Sequence, residues 1–229
     1  MASIVMSSRW LRSLSWSAFA VVVAIMLVLA GYAGLAYSDA LADAVALRAR
    51  ADALVASGRG PQTLGLRRLE QVIQLKDPNF WSHHGVDGSG LGSGGITLTQ
   101  TLIKPAPFDV MVPSVSRLRQ DIYAYALETR LSKMQILALY FEQAKMGQGK
   151  AGALRGVFAA SRAVYGRAPA DLTNAEWYRL LATINAPRVY HWDKPDPALD
   201  ERVARLTRFL NNDCQPATAT DVELEGCLG

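Results

Sequence analysis

The sequence predicts a mostly α-helical globular domain behind one N-terminal membrane-spanning helix. Three observations carry that expectation. No charged residue occurs between Ser13 and Ser38. From Thr63 to Asn211 the larger apolar residues recur at helical spacing, and nowhere is a strand-like alternation sustained. The chain has 229 residues, half of them hydrophobic and 19% charged, which suffices for one domain with a full core and excludes a wholly disordered chain.

The first element is the apolar run. Ala18 to Tyr37 is hydrophobic apart from two glycines. Twenty helical residues at about 1.5 Å each span roughly 30 Å, the thickness of a bilayer's hydrocarbon core. Arg9 and Arg12 precede the run, and Asp39 and Asp43 follow it. The positive-inside bias therefore expects residues 1–15 in the cytoplasm, 16–38 across the bacterial inner membrane, and the rest on the periplasmic or extracytoplasmic side. A cleaved leader is the other reading of such a run, but its apolar core is normally about 7–15 residues.

Residues 39–62 read as a helical stalk, Ala/Leu-rich until Gly58-Arg-Gly-Pro61 breaks it. Leu66, Leu69, Val72 and Ile73 begin the globular domain, expected over 63–212. Gly88 to Gly95 is a loop by composition. Arg117 to Met146 lacks Pro and Gly and predicts two helices joined near Ser132, an ordinary N-cap residue. Thr173 stands three residues before Glu176, the spacing of a capping box, ahead of an apolar helix reaching Ile184. Residues 213–229 form a tail holding both cysteines. On the exported side Cys214 and Cys227 read as a disulfide closing a short loop, the alternative being two free thiols in a frayed terminus.

Composition excludes several classes. Two cysteines cannot build a disulfide scaffold or a structural zinc site alone. A net charge of +4 is too small to indicate nucleic acid as a partner. Gly-x-Ser-x-Gly, His-Glu-x-x-His, Walker and Ser-x-x-Lys signatures do not occur. Adjacent His83 and His84 diverge on one backbone stretch, so no metal site is expected there.

Four segments carry more information together than apart. They are Lys76-Asp-Pro-Asn-Phe-Trp-Ser-His-His-Gly-Val-Asp87, Gly94-Gly-Ile-Thr-Leu-Thr-Gln-Thr-Leu-Ile-Lys104, Arg130-Leu-Ser-Lys-Met-Gln-Ile-Leu-Ala-Leu-Tyr140 running on to Gly147-Gln-Gly149, and Asp171-Leu-Thr-Asn-Ala-Glu176 with Ala186-Pro187. In order and spacing the set resembles the family 51 peptidoglycan glycosyltransferases, the transglycosylase domains of monofunctional cell-wall enzymes and of bifunctional penicillin-binding proteins. The resemblance covers about Leu66 to Asn212. It implies a lysozyme-like helical fold, a membrane anchor, and polymerisation of lipid II into glycan strands at the bilayer surface. Partners implied are the lipid bilayer, lipid II or a glycan strand, and other wall-synthesis proteins. No cofactor is implied beyond a divalent cation such as Mg, and that only if turnover remains. With the sequence ending at Gly229, no transpeptidase domain is expected.

Carried over residue by residue, the likeness departs from the family at its chemistry. The first motif, Glu-Asp-x-x-Phe-x-x-His-x-Gly, is matched by Asp77, Phe80, His83 and Gly85, but the glutamate position, the family's general base, is Lys76. Counting from Ser132-Lys133 and from Lys104 places the second catalytic glutamate at Gln120. The arginine and lysine before it fall on Ser116 and Arg117. The second motif keeps Gly94, Thr97, Gln100 and Lys104, loses a serine to Ile96 and a glutamine to Thr101, and is followed by Pro105. The insert before it shrinks to Gly88 to Ser93, and a later asparagine becomes Glu142.

A general base must be unprotonated and within reach of its proton, and losing one typically costs about 10²–10⁴-fold in rate. Lysine, with a reference pKa near 10.4, is charged at neutral pH. Burial lowers that value, but a neighbouring Asp77 is expected to favour the charged form. Glutamine has no proton to exchange. Asp77 and Asp121 are the nearest substitute acids, although a one-residue step rotates a helical side chain by about 100°, which aims Asp121 away from the Gln120 direction. On the binding side His83, Thr97, Gln100, Lys104, Arg117 and Arg119 remain suited to a pyrophosphate and sugar groove. The expectation is a transglycosylase-like pseudoenzyme that binds without turnover. The rival is an active glycosyltransferase using displaced acids.

Overall fold

The computed structural model describes residues 8–89, 95–103, 113–186, 188–218 and 220–229. Seven α-helices appear among them: α1 (Ser8–Ala56), α2 (Leu66–Lys76), α3 (Pro113–Glu128), α4 (Lys133–Gln143), α5 (Val157–Tyr165), α6 (Asn174–Thr183) and α7 (Pro197–Leu210). One antiparallel hairpin, β1 (Lys145–Gly149) with β2 (Gly152–Arg155), separates α4 from α5. The domain is mostly α, as the spacing of apolar residues predicts.

Helix α1 changes character along its length. Phe19, Val21, Val22, Ile25, Met26, Leu27 and Val28 are exposed, a run that no other described part of the protein covers. It is long and apolar enough to be a candidate membrane span. Further on, Ala36, Ala40, Ala44, Ala51 and Leu54 are buried on one helical face. The segment read as a stalk thus packs along α3 and α4. Its small residues let the helices approach closely, and polar groups fix the register. Tyr123 donates to Asp43, Gln135 Nε2 donates to Asp52 Oδ1 at 2.8 Å, and Arg50 grips Glu142 through two bonds of 2.5 and 2.7 Å. Burial, reinforced by Asp43, pushes the Tyr123 phenol well above its ordinary value, so it stays a donor.

Helix α4 is the central strut: Ile136 to Phe141 are all buried. Its start is set by Ser132, whose side chain accepts from Gln135 N while the Gln135 side chain accepts from Ser132 N, a complete capping box. Thr173 and Glu176 form the same device at the start of α6. Trp177 on α6 is fully buried, and its Nε1 donates to Gln71 Oε1 on α2 at 2.8 Å.

The hairpin goes beyond what the sequence predicts. It pairs Lys145 with Arg155, Gln148 with Ala153 and Gly149 with Gly152, with an irregularity between Lys145 and Gln148. Its strands are short and glycine-rich, so no period-two pattern announces them. The segment Tyr190 to Trp192 runs along β1, with Gln148 N donating to Tyr190 O and Trp192 N to Gln148 O. The tail is tied down by a Cys214–Cys227 disulfide with Cα atoms 5.3 Å apart.

Candidate functional site

The two positions that motif spacing expects to match the family's glutamates lie on separate helices, Lys76 on α2 and Gln120 on α3. Lys76 is the last residue of α2, and it is only 4% exposed. Burial is the largest influence on its amine and pushes the pKa down to about 7; the nearby Arg202 guanidinium adds to this and Glu223 opposes it. The expectation that Asp77 would hold Lys76 charged fails for a geometric reason. The Asp77 carboxylate turns the other way, toward His83 Nε2 at 3.0 Å from both oxygens and toward the Leu98 N–H at 2.9 Å. The charges that act on the Lys76 amine are instead those of Arg202 from α7 and Glu223 from the tail.

Asp77 is the hub of a buried network. With 1% exposure it organises the loop after α2 and the start of the second motif together. Phe80 packs in the core beneath the Lys133 ammonium, which lies 4.4 Å from the ring centre. Lys133 also donates to His83 O at 2.8 Å and pairs with Glu128 at 2.7 Å, and Glu128 accepts from Thr99 Oγ1 at 2.5 Å. Gly85 has φ of +85°, and a side chain there would stand 2.5 Å from the Ala124 carbonyl of α3. Only glycine lets this loop lie against α3. His84, next to buried His83, is exposed, so the two imidazoles diverge as adjacency predicts.

The residues expected to bind substrate fall into two groups. Thr97 and Gln100 are buried and satisfied internally. Thr97 Oγ1 donates to Gly85 O at 2.6 Å, Thr97 N donates to Gln100 Oε1 at 2.8 Å, and Gln100 Nε2 donates to Asp121 Oδ1 at 2.5 Å. His83 is buried beside them. Arg117 and Arg119 sit on the first half of α3, where Arg117 donates to Gly95 O at 3.2 Å and Arg119 lies over the Tyr123 ring. Gln120 is partly buried between them and Asp121. Lys104, Gly94, Pro105 and Pro187 lie outside the described residues, as do residues 90–93 of the glycine-rich loop.

Asp121 stands on α3. Its carboxylate reaches Gln100 of the second motif, because the turn at Gln100–Leu102 packs against α3 on that side. Sequence reasoning also missed a cavity of about 460 Å³ beside this turn, bordered by Thr101, Ile103, Lys145, Arg155, Asn185 and Ala186. Lys145 and Arg155 stand opposite each other in the hairpin, a like-charge pairing that strands normally avoid. No carboxylate borders this cavity among the described residues. Nor, among them, do three or more His, Cys, Asp or Glu side chains converge as metal ligands.

The buried Asp77–His83 hub sits in a mostly helical frame that follows one exposed, apolar N-terminal helix, a candidate membrane span. Comparison with known proteins names the family. Residues 61–210 match the model of the transglycosylase family, and the chain belongs to that family. It is 35% identical over 137 residues to penicillin-binding protein 1C of Escherichia coli, covering 53% of this chain and 17% of that protein. It is 31% identical over 156 residues to the biosynthetic peptidoglycan transglycosylase of Bordetella avium, covering 61% and 63%. Penicillin-binding protein 1F of Bacillus subtilis is 30% identical over 134 residues, covering 53% and 18%. The chain thus spans under a fifth of the penicillin-binding proteins and less than two thirds of the Bordetella protein.

Proposed function

We propose that this chain is an inner-membrane, single-pass, transglycosylase-like protein of cell-wall assembly that has lost turnover. It acts by holding lipid II, a glycan strand or a wall-synthesis partner. Its N-terminus is cytoplasmic and its domain is periplasmic, in keeping with Arg9 and Arg12 before the apolar run and Asp39 and Asp43 after it. The observation that carries the reading is the amine of Lys76 and the amide of Gln120 at the two positions where the resemblance expects the family's catalytic carboxylates.

The surroundings support it. Asp77 is committed to His83 and Leu98, so its oxygens are engaged and nearly inaccessible. Lys145 and Arg155 keep a positive cavity beside the second motif, which suits charge-assisted bonds to an anionic, phosphate-bearing ligand. Purified full chain in detergent, incubated with lipid II, is expected to bind it and to yield no glycan polymer on a gel. Absence of binding to lipid II and to moenomycin, a phosphoglycolipid that mimics the family's donor strand, would favour a purely structural scaffold.

One observation favours a second reading. The Asp121 carboxylate accepts from Gln100, so an acid stands beside the second motif. An enzyme using that displaced acid predicts polymer from the wild-type chain that disappears in Asp121→Ala.

A further inference from the structure

A second cleft, of about 380 Å³, opens where the end of α1, the end of α4 and the start of α5 meet. Two turns build it. After α1 the chain reverses, and Arg59 N donates to Leu54 O at 2.9 Å, which folds Arg59 back over the helix end. Between β2 and α5, Gly156 N donates to Ala144 O at 2.8 Å. Gly156 has φ of +83°, and a side chain there would stand 2.8 Å from Glu142 O, so only glycine lets the start of α5 lie this close to α4.

The cleft has an apolar floor and a cationic rim. Leu54, Phe141 and Phe158, all buried, border it from three elements, and the exposed Arg59, Arg155 and Arg162 stand around it. Glu142 is the one acid among the bordering residues, and Arg50 already holds both of its oxygens. Arg59 Nε donates to Ser57 Oγ at 3.0 Å, and among the described residues no ion pair engages Arg59, Arg155 or Arg162. Three guanidiniums therefore face the cleft's mouth with no carboxylate to answer them.

Position along α1 narrows what fits. At about 1.5 Å per residue, Leu54 stands roughly 24 Å along the helix from Ser38, where the uncharged run ends. That is past the roughly 5–8 Å of a headgroup layer, so the occupant comes from water rather than from the bilayer. A lone inorganic anion would use the rim and leave the floor wet. A peptide carrying acids on either side of an apolar side chain uses both, with arginines at the rim and an anchor on the floor.

We propose that this cleft docks an acidic peptide segment of a partner protein, one that sets Asp or Glu beside Phe, Leu or Trp. Leu54 and Arg59 precede residue 61, where the match to the family begins, so the docking site draws on residues outside the matched segment. Arg59 and Arg162 do not border the cavity beside the second motif, so this site does not depend on whether lipid II is bound or turned over.

The probe is an array of pentapeptides combining Asp or Glu with Phe, Leu or Trp, each beside a counterpart with Lys in place of the acids. It is overlaid with the full chain in neutral detergent, and the strongest peptide is then measured by fluorescence anisotropy. Acidic peptides are expected to retain the chain, and their Lys counterparts are not. Arg59→Ala with Arg162→Ala should weaken the strongest peptide by roughly 10-fold or more. Ala159→Trp fills the cleft from the exposed face of α5 without altering any charge, and should weaken it as much. Lipid II retention is expected to be unchanged in both variants, so this proposal and the proposed function fail separately. Equal retention of acidic and Lys peptides overturns the proposal, as does full binding by the arginine variant. Loss in the arginine variant with full binding by Ala159→Trp marks general charge attraction and overturns it too.

Discussion

Replacing Lys76 by methionine isolates the energetic consequence of putting a lysine at this position. The amine is 4% exposed, and its pKa falls from 10.5 to about 7 on folding, chiefly through burial. Between those two values the unfolded chain carries the proton and the folded chain does not. The unfolded state therefore binds more protons, and the contribution of Lys76 to stability rises with pH across this window. Below pH 7 both states are protonated and the cost of burying the ammonium is felt in full. Integrated from pH 6 to pH 9, the gain is roughly 2–3 kcal/mol. Lys76→Met removes the titration, so its stability advantage over wild type should be largest at pH 6 and shrink by that amount at pH 9. Guanidinium unfolding of both proteins in detergent, read by Trp177 fluorescence, measures the gap directly. A gap that stays constant from pH 6 to pH 9 refutes the assignment of a depressed amine in a closed site.

Three further outcomes are expected. Ser132→Ala removes the side-chain half of the α4 capping box and should cost about 1 kcal/mol in the same unfolding assay, with Ser132→Gly costing less. Gly85→Ala places a methyl 2.5 Å from the Ala124 carbonyl at a positive φ, so it should destabilise by about 3 kcal/mol or more and expose the Asp77–His83 network to hydrogen exchange. Lys145→Ala with Arg155→Ala should weaken lipid II binding by roughly 10-fold or more, as loss of charge-assisted bonds does, while leaving the Tm within about 2 °C because both side chains are exposed.

Much of the frame was legible in the residues. The helical spacing of apolar groups, the capping pairs at Ser132 and Thr173, and the uncharged run before Asp39 each have a local cause, so the sequence alone exposes them. The alanine face of α1 was harder to interpret. An Ala/Leu-rich helix looks like a spacer until its partners α3 and α4 are in place. The β1–β2 hairpin was invisible because Gly147, Gly149 and Gly152 interrupt any alternation, and its pairing is completed by the distant Tyr190–Trp192 segment.

The candidate site was legible in outline and not in its contacts. Motif spacing found Lys76, Asp77, His83, Gln100 and Gln120. It could not say that Asp77 turns toward Leu98 N–H, nor that Asp121 reaches Gln100, because both depend on how the loop at Gly95 to Ile103 packs between α2 and α3. Arg202 and Glu223 left no signal, since their ion pair forms only once the tail folds back onto α7. Charge substitutions are easy to see in a sequence. The groups that answer them are found only in three dimensions.

The most direct measurement is the simplest: purified wild-type chain incubated with lipid II, with products resolved on a gel. The account predicts retained lipid II and no ladder of glycan strands. A ladder from the wild-type protein, abolished by moenomycin, would contradict it.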